Sequence, residues 1–508
     1  MAKLHEHQGK VLFKEAGIPV PEGSLASSPD EAAEIASKLK SPVVIKMQAW
    51  TTGRAGLGGI IFADSPKQAR DGAADILGKE VENFVVENVL VEKKLNIEKE
   101  FYAGIVIDDK SRKPAMIFSS VGGTGIEEIA QKFPDKISRM SIDVIEGLKD
   151  YQARELVKRT GLTGKLQLRI AGILVKLFNL ARKYEMRSAE INPLVLTDED
   201  KLIAADSRIT IDDSAVFKHP ELGIEIAREL DHPPSELDKI AWNVEKDDYR
   251  GTFYFIQMAQ GFSMEERYVG FHGAGGGGSM MSMDALMNKG FKLANFVDTS
   301  GNPPASKVYR AAKIILSQKN IVGYFGSGSG VASQEQFHSA RGLVKAFREE
   351  NISIPVVIRL GGNQEDKAIE ILTNYTADLP APVEGYKKND SADFCADRMK
   401  ALVDSFDYSS ANGASFVPPK AEKPYSFKTL TGEITYDHAL CLDCKDKPCI
   451  ESCGPEILKL EDNLPVLAIS DEDAAKGKCT ECLACEQECY FHGNKGAYIS
   501  LPIEGLVN

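Results

Sequence analysis

Apolar and polar positions change rhythm along this chain at three places. Over roughly the first 230 residues, short apolar runs alternate with amphipathic stretches. "SPVVIKMQ" and "LGGIIFA" are brief runs rich in Val and Ile, a strand signal, and "NVLVEKK" and "EFYAGIVID" form two more around a short polar link. "SPDEAAEIASKL" opens on Ser28 with an acidic first turn, which predicts a helix start. Residues 150–186 carry helical periodicity and predict one long helical region. "SAEINPLVLTDEDKLIAADSRITID" predicts two strands joined at "DED". A turn centred on Glu199 places Asn192 opposite Asp206 and Glu190 opposite Arg208. Side chains two apart share a face, so these four form one polar patch, either a ligand site or a solvated hairpin face. Pro193 within the first strand predicts an edge or a bulge.

From about 240 to 405 the pattern becomes strand, Gly-rich turn, helix, repeated. "RYVGFHGAGGGGSMMSMDALMNKG", "SKVYRAAKIILSQKNIVGYFGSGSG" and "GLVKAFREENISIPVVIRLGGNQEDKAIEIL" carry it. Repeated βα units predict a doubly wound parallel sheet. "ADFCADRMK" predicts a helix with Cys395 buried. Residues 406–428, rich in Ser, Pro and Lys, read as a linker. No repeat of solenoid spacing occurs.

A length of 508 residues exceeds one core and predicts two to four domains. Net charge is −13, which disfavours nucleic acid as a partner. The N-terminal stretch "MAKLHEHQGKVLFKEAG" has no apolar segment of signal-peptide type, and no stretch has the apolar length to cross a bilayer. A cytoplasmic, reducing setting is expected. There, clustered cysteines bind metal more often than they form disulfides.

Eight of the nine cysteines lie in two runs, C-x2-C-x4-C-x3-C at 441–453 and C-x2-C-x2-C-x3-C at 479–489. Two [4Fe–4S] cubes or two four-cysteine zinc sites satisfy such runs. The runs resemble those of bacterial two-cluster ferredoxins. That resemblance implies Cys441, Cys444, Cys449 and Cys489 on one cube, and Cys479, Cys482, Cys485 and Cys453 on the other. The four-residue gap in the first run, and Tyr490 where the motif has Pro, depart from it.

Lys46 ends a strand before a loop with Gly53 and Arg54. A Lys there can hold nucleotide phosphates or be merely exposed, and no P-loop signature follows. Taken with "LHEHQGKVLFKEAGIPVP", "VVIKMQ", "GRAGLGG", "LVEKKLNIEKEFYAGIVID", "EINPLV", "NFVDTSG" and "VVIRLGGN", residues 1 to about 405 resemble the β subunit of succinyl-CoA synthetase, an ATP-grasp protein. That resemblance implies an ATP-grasp domain over 1–235 and a flavodoxin-like doubly wound domain over 236–405; after the linker, the ferredoxin resemblance implies a small α+β ferredoxin-like domain over 429–508. The synthetase resemblance implies that Lys46, Gly53, Arg54, Ala55, Glu92, Leu95 and Glu100 bind ATP, that Asn192 and Asp206 hold Mg²⁺, and that Arg54 and Glu190 serve catalysis, Glu190 by steadying a phosphohistidine.

"HGAGGGG" fits G-x-G-x-x-G through Gly273, Gly275 and Gly278, with Asp298 twenty residues on. NAD is one reading of it; an anion site at a helix N-terminus is the other. In the resembled family this loop and the later one, Ser327, Gly328, Ser329 and Gly330, receive the acyl group. Here the later loop looks closer to the citrate-binding part of ATP-citrate lyase. His272 is then a phosphoryl acceptor, a substrate contact or a structural histidine, and Arg359 a carboxylate ligand or a structural ion pair. His5 and His7 are read as surface residues of a helix start.

The expected function is an ADP-forming acyl-CoA synthetase β-type subunit, acting through an acyl phosphate and a phosphohistidine. The histidine and CoA would come from an α-type partner subunit, the acid would be a small organic one, and the cysteine module would serve an oxidoreductase or ferredoxin partner. The alternative is an ATP-gated electron-transfer subunit without ligase activity.

Overall fold

A computed structural model of the chain describes residues 2–506 apart from 50, 52–53, 55, 82–83, 124, 225–233, 247, 249–252, 329, 331 and 410–415. The chain divides into two compact units, Met1–Pro233 and Pro234–Asn508.

Two antiparallel sheets form the body of the first unit, beside a short two-stranded pair of Glu80–Val81 with Phe84–Val85. The larger runs Ala2–Lys3, Arg208–Ile211, Met186–Thr197, Ile97–Asp108, Lys113–Ser119 and Ile137–Ser141, with Leu202–Ala204 also paired to Met186–Thr197. The smaller runs Gly23–Ala26, Val89–Lys93, Val43–Met47 and Ile60–Ala63. Ser28 caps the helix Pro29–Leu39, accepting from Glu31 N–H. Ala32 and Ala36 of that helix pack in one core with Val43 and Ile45 of the small sheet. In the helix Gly164–Lys183, Ile170, Leu174, Leu177 and Phe178 fall on one face and bury against Phe101, Met116 and Ile191. Each such side chain contributes about 1.5–3 kcal/mol by leaving water. The single helical region expected over 150–186 is two helices, Asp150–Lys158 and Gly164–Lys183. Gly161, at φ +90°, ends the first in a backbone region that only glycine enters freely.

The hairpin register is the expected one: Leu196 faces Leu202 and Glu190 faces Arg208. Pro193 lies at a register irregularity between Ile191 and Leu194, but not on an edge, because its strand is paired on both sides.

The second unit holds a sheet in the order Tyr254–Gln257, Asn295–Asp298, Tyr268–Ala274, Gly323–Gly328, Val356–Arg359, Val383–Tyr386; all but the first strand run parallel. Successive residues alternate faces. Val269, Phe271, Phe325 and Val357 pack with Leu286, Cys395 and Met399, whereas Tyr324, Val356 and Ile358 pack with Ile314, Val344 and Phe347. Helices therefore cover both faces, and Cys395 is fully buried on Ala392–Ser405.

The segment expected as a linker over 406–428 ends in a strand. Pro424–Lys428 pairs with Glu433–Asp437, which pairs with Ala497–Ser500. Phe427, Ile434 and Tyr436 join the same core as Tyr309, Val344 and Phe347. The cysteine segment is thus packed into the second unit. Its polar anchors are buried: Lys345 Nζ meets Glu349 at 2.8 Å and Glu486 at 2.7 Å, and Gln487 donates to the Arg341 carbonyl at 2.7 Å. Tyr490 replaces the motif's Pro for a reason visible here. It lies inside the helix Ala484–His492, where proline would remove a main-chain donor, and its hydroxyl accepts from Arg348 at 3.0 Å.

Candidate functional site

Six charged side chains meet in the first unit. Glu6 and Lys10 sit one turn apart on the helix Glu6–Glu15, with Phe13 on the same buried face. Lys10 Nζ donates to both oxygens of Glu92, at 2.7 and 2.6 Å, and to the Ala205 carbonyl at 2.8 Å. Lys46 Nζ reaches Glu6 at 2.8 Å, the Ala205 carbonyl at 2.6 Å and Glu92 at 3.1 Å. Arg54 divides its fork between Glu6 and Asp206, each at 2.7 Å. Three cations and three carboxylates balance, the condition under which charge survives burial. Burial alone would lower Lys46, yet Glu6, Glu92 and Asp206 hold it well above the usual lysine range. Lys10 goes the other way, lowered by burial and by Lys46.

Beside this network opens a cleft of about 610 Å³, whose lining includes Glu6, Arg54, Glu190, Asn192, Asp206 and Arg208. The four residues of the predicted hairpin patch all face it. Asn192 donates to Glu190 at 3.2 Å and accepts from the Gly123 N–H at 3.3 Å. Burial raises the carboxyls of Glu190 and Asp206 above their ordinary values. Asn192 and Asp206 offer oxygen atoms on one face, the donor set that Mg²⁺ takes in small number alongside phosphate and water. Glu100 reaches the same loop: a methyl group on Gly123 would stand 2.2 Å from its carboxylate. Leu95 is half-buried in the link before Ile97–Asp108. Gly53 and Ala55 lie outside the described residues.

Sequence reasoning missed Glu6, Lys10 and the 121–125 loop. The i, i+4, i+7 placement of Glu6, Lys10 and Phe13 was the available signal for the first two. His5 and His7 are half-buried and not surface residues; burial brings the His5 imidazole down to about 4, aided by His7 and Arg54.

In the second unit the glycine loop follows the strand Tyr268–Ala274 and starts the helix Gly276–Asn288. Gly273 packs closely, because a side chain there would strike Ser279 and the Val297 carbonyl. His272 is 5% exposed, with one ring nitrogen against the Tyr324 hydroxyl and the other 3.2 Å from Thr299 Oγ1. Burial pushes its imidazole down to about 3. With both nitrogens engaged, it is a packing histidine and offers no nucleophile. Arg359 also differs from expectation. It donates to the carbonyls of Asp390, Gly328 and Lys388 at 2.7, 3.2 and 2.8 Å, so its fork fastens loops and is committed before any carboxylate arrives. Ser327 is buried and hydrogen-bonded to Ser282 at 2.7 Å, Gly328 ends the strand Gly323–Gly328, Gly330 follows at φ +76°, and Ser329 lies outside the described residues. Asp298 accepts from the Gly275 N–H at 3.0 Å and the Ser300 N–H at 2.8 Å, so it braces the loop.

None of the nine cysteines is in a disulfide. Cys453, Cys479, Cys482 and Cys485 line one cavity whose other walls include Phe427, Ile434, Leu458 and Ile499. The Cys441, Cys444 and Cys449 thiols neighbour that of Cys489. Each remote cysteine thus joins the other run. Burial, then neighbouring thiols, pushes Cys441 and Cys449 up to about 12; burial takes Cys479 to the same value. A thiol in that setting becomes thiolate when a cation neutralises it. Gly496 leaves room for one quartet: a side chain there would press within 3.2 Å of Cys441 Sγ. Among the described residues no three His, Cys, Asp or Glu side chains are gathered around one ion's position, and no helix is long and apolar enough to cross a membrane.

The ATP-grasp domain family matches residues 3–196. The GDP-forming succinate–CoA ligase β subunit of Thermus thermophilus is 35% identical over 370 residues, covering 73% of this chain and 93% of that one. The ADP-forming succinate–CoA ligase β subunit 1 of Archaeoglobus fulgidus is 37% identical over 383 residues, covering 75% and 95%. Among solved structures, ATP citrate lyase from Methanothrix soehngenii, in complex with citrate and coenzyme A, superposes with a TM-score of 0.65 at 18% identity, covering 79% of this chain and 99% of that one; at that identity the likeness concerns the fold. Matched to curated relatives at more than one-third identity along nearly their full length, and built on an ATP-grasp fold at its N-terminal end, the chain belongs to the family of succinate–CoA ligase β subunits.

Proposed function

We propose that the chain is the nucleotide-binding β subunit of an ADP-forming acid–thiol ligase, and that residues 429–508 form a two-cluster ferredoxin domain attached to it. Family membership makes it an acyl-CoA synthetase-type subunit that works with an α subunit. The observation that carries the ligase reading is the convergence of Glu190, Asn192, Asp206 and Arg54 on one cleft beside half-buried Lys46.

In this reading Lys46 and Arg54 neutralise the nucleotide's phosphates, and Glu6 and Glu92 fix where those cations stand. Asn192 and Asp206 would hold Mg²⁺, which would supply positive charge beside the nucleotide's phosphates. Glu190 accepts a hydrogen bond from the N–H of the α subunit's histidine, orienting its other nitrogen toward phosphorus. Phosphoryl passes between nucleotide, that histidine and the substrate carboxylate. The CoA thiol then displaces phosphate from the acyl phosphate. The loops after the strands Tyr268–Ala274 and Gly323–Gly328 face the acyl group. The substrate is a small organic acid, with ATP as the nucleotide.

The gathering of eight thiols, all but Cys482 buried, into two quartets supports [4Fe–4S] ligation by Cys441, Cys444, Cys449 and Cys489, and by Cys453, Cys479, Cys482 and Cys485. Such clusters exchange single electrons, and the domain would face an oxidoreductase or ferredoxin partner.

The test is anaerobic purification of the chain with its α-type partner. Roughly eight iron and eight sulfide per chain are expected from two cubes, with ADP release that requires both acid and CoA. Glu190→Gln is expected to lower thioester formation about 100-fold or more at unchanged iron content. Zinc without sulfide overturns the ferredoxin assignment. ADP release that needs neither acid nor CoA, and that persists in Glu190→Gln, overturns the ligase assignment in favour of ATP-gated electron transfer.

A further inference from the structure

The two cysteine quartets rest on matching local frames. In each run the residue two positions before the third cysteine is left-handed and begins a helix. Lys447, at φ 45°, precedes Pro448–Glu451; Leu483, at φ 63°, precedes Ala484–His492. Both side chains are buried, Lys447 at 5% and Leu483 at 1% exposure. One frame therefore holds an ammonium where the other holds an alkyl group.

The extra two residues of the first run explain how a lysine fits. The gap between Cys444 and Cys449 is four residues long, against two between Cys482 and Cys485. The added length lets Lys447 turn back inside its own loop, where Nζ donates to the Cys441 carbonyl at 2.7 Å and to the Cys444 carbonyl. Both acceptors belong to ligating cysteines, and neither is a carboxylate. Its positive charge therefore acts on the sulfur atoms around it; Asp437 opposes it at Cys441, but that carboxylate is itself held by the N–H groups of Glu422, Lys423 and Ala439. In a buried setting a unit charge acts with far less screening than at the surface.

We propose that Lys447 sets the reduction potential of the cluster held by Cys441, Cys444, Cys449 and Cys489 above that of its neighbour. Adding an electron to a cluster makes it more negative, and a fixed cation alongside stabilises that state. A single electron delivered to the module by a one-electron carrier then resides at the Lys447 end. This rests on the two-cluster reading, and the experiment separates the two.

The full chain, purified without oxygen, is titrated with dithionite and mediators while each cluster's signal is followed by electron paramagnetic resonance. Wild type is expected to show two one-electron transitions at different midpoints. Lys447→Leu, which copies the other frame, is expected to move the first-reducing signal to lower potential. At a fixed applied potential its reduced-to-oxidised ratio falls about tenfold, 59 mV for a one-electron couple. Lys447→Arg keeps the charge and holds the wild-type midpoint, and the second signal stays in place throughout. Unmoved midpoints in Lys447→Leu at full iron content overturn the proposal and leave the clusters standing; so does movement of the second signal alone. Should Lys447→Leu lose iron, Lys447→Gln, which keeps an amide donor for the two carbonyls, decides between a shifted midpoint and an unchanged one. A wild type with no reducible signal removes the cluster reading itself.

Discussion

Glu6→Gln isolates charge at the most crowded point of the first unit. The two side chains match in size, so no cavity opens. Glu6 touches all three cations of the network, Lys10 at 2.7 Å, Lys46 at 2.8 Å and Arg54 at 2.7 Å, and its side chain is 1% exposed. Water cannot take its place. Removing one partner of a buried pair costs about 3–5 kcal/mol. Glu92 and Asp206 still serve the cations, so the lower end, about 3 kcal/mol, is expected. A domain holds about 5–15 kcal/mol in total. For a unit of this size each kcal/mol moves the melting temperature by about 2–4 °C, which gives a fall of about 6–12 °C in the first unit's transition by calorimetry at neutral pH. The pH dependence carries a sign. Burial alone would raise the Glu6 carboxyl, but Lys46, Lys10 and Arg54 outweigh it and hold the group well below the usual carboxylate range. A carboxyl lowered in the folded state stabilises above its unfolded value, about 4.3 for Glu, and that contribution fades as pH falls toward the folded one. The gap between wild type and variant therefore narrows on acidification below about pH 4. Equal melting at neutral pH, or a gap that widens in acid, refutes the assignment of Glu6 as the anchor of the three cations.

Lys345→Met leaves Glu349 and Glu486 buried without their cation; a loss of about 3 kcal/mol in the second unit's transition is expected by calorimetry, with iron content reporting whether the cysteine segment loosens with it. Asp206→Asn keeps the size of a proposed Mg²⁺ ligand and removes its charge, so the Mg²⁺ concentration for half-maximal ADP release is expected to rise about tenfold, ~1.4 kcal/mol. An unchanged Mg²⁺ requirement in that titration places the metal elsewhere.

Much of the cleft was legible because it depends on short-range periodicity. A strand alternates its side chains strictly, so a hairpin centred on Glu199 leaves Glu190, Asn192, Asp206 and Arg208 on one face wherever the hairpin packs. The grouping of the cysteines was legible for a similar reason, since residues close in sequence stay close in space, and Cys479, Cys482 and Cys485 share one cavity. The burial of Cys395 followed from its helical pattern. Helix interruption at Gly161 was misread, because apolar periodicity continues across a break that one glycine conformation makes.

The linear order of residues determined the alternation of strands and helices, the grouping of the cysteines and which side chains share a strand face, all properties set within a few residues by backbone geometry. Only the folded chain decided which groups are already spoken for. Tyr324 and Thr299 close off His272, three carbonyls from two loops occupy Arg359, and Glu92, 82 positions from Lys10, joins the network of Glu6. The segment expected to hang on a linker is instead held by Lys345, Glu349 and Glu486. Those outcomes turn on contacts between residues far apart in sequence, where burial and hydrogen-bond satisfaction depend on the whole packing and leave no local trace.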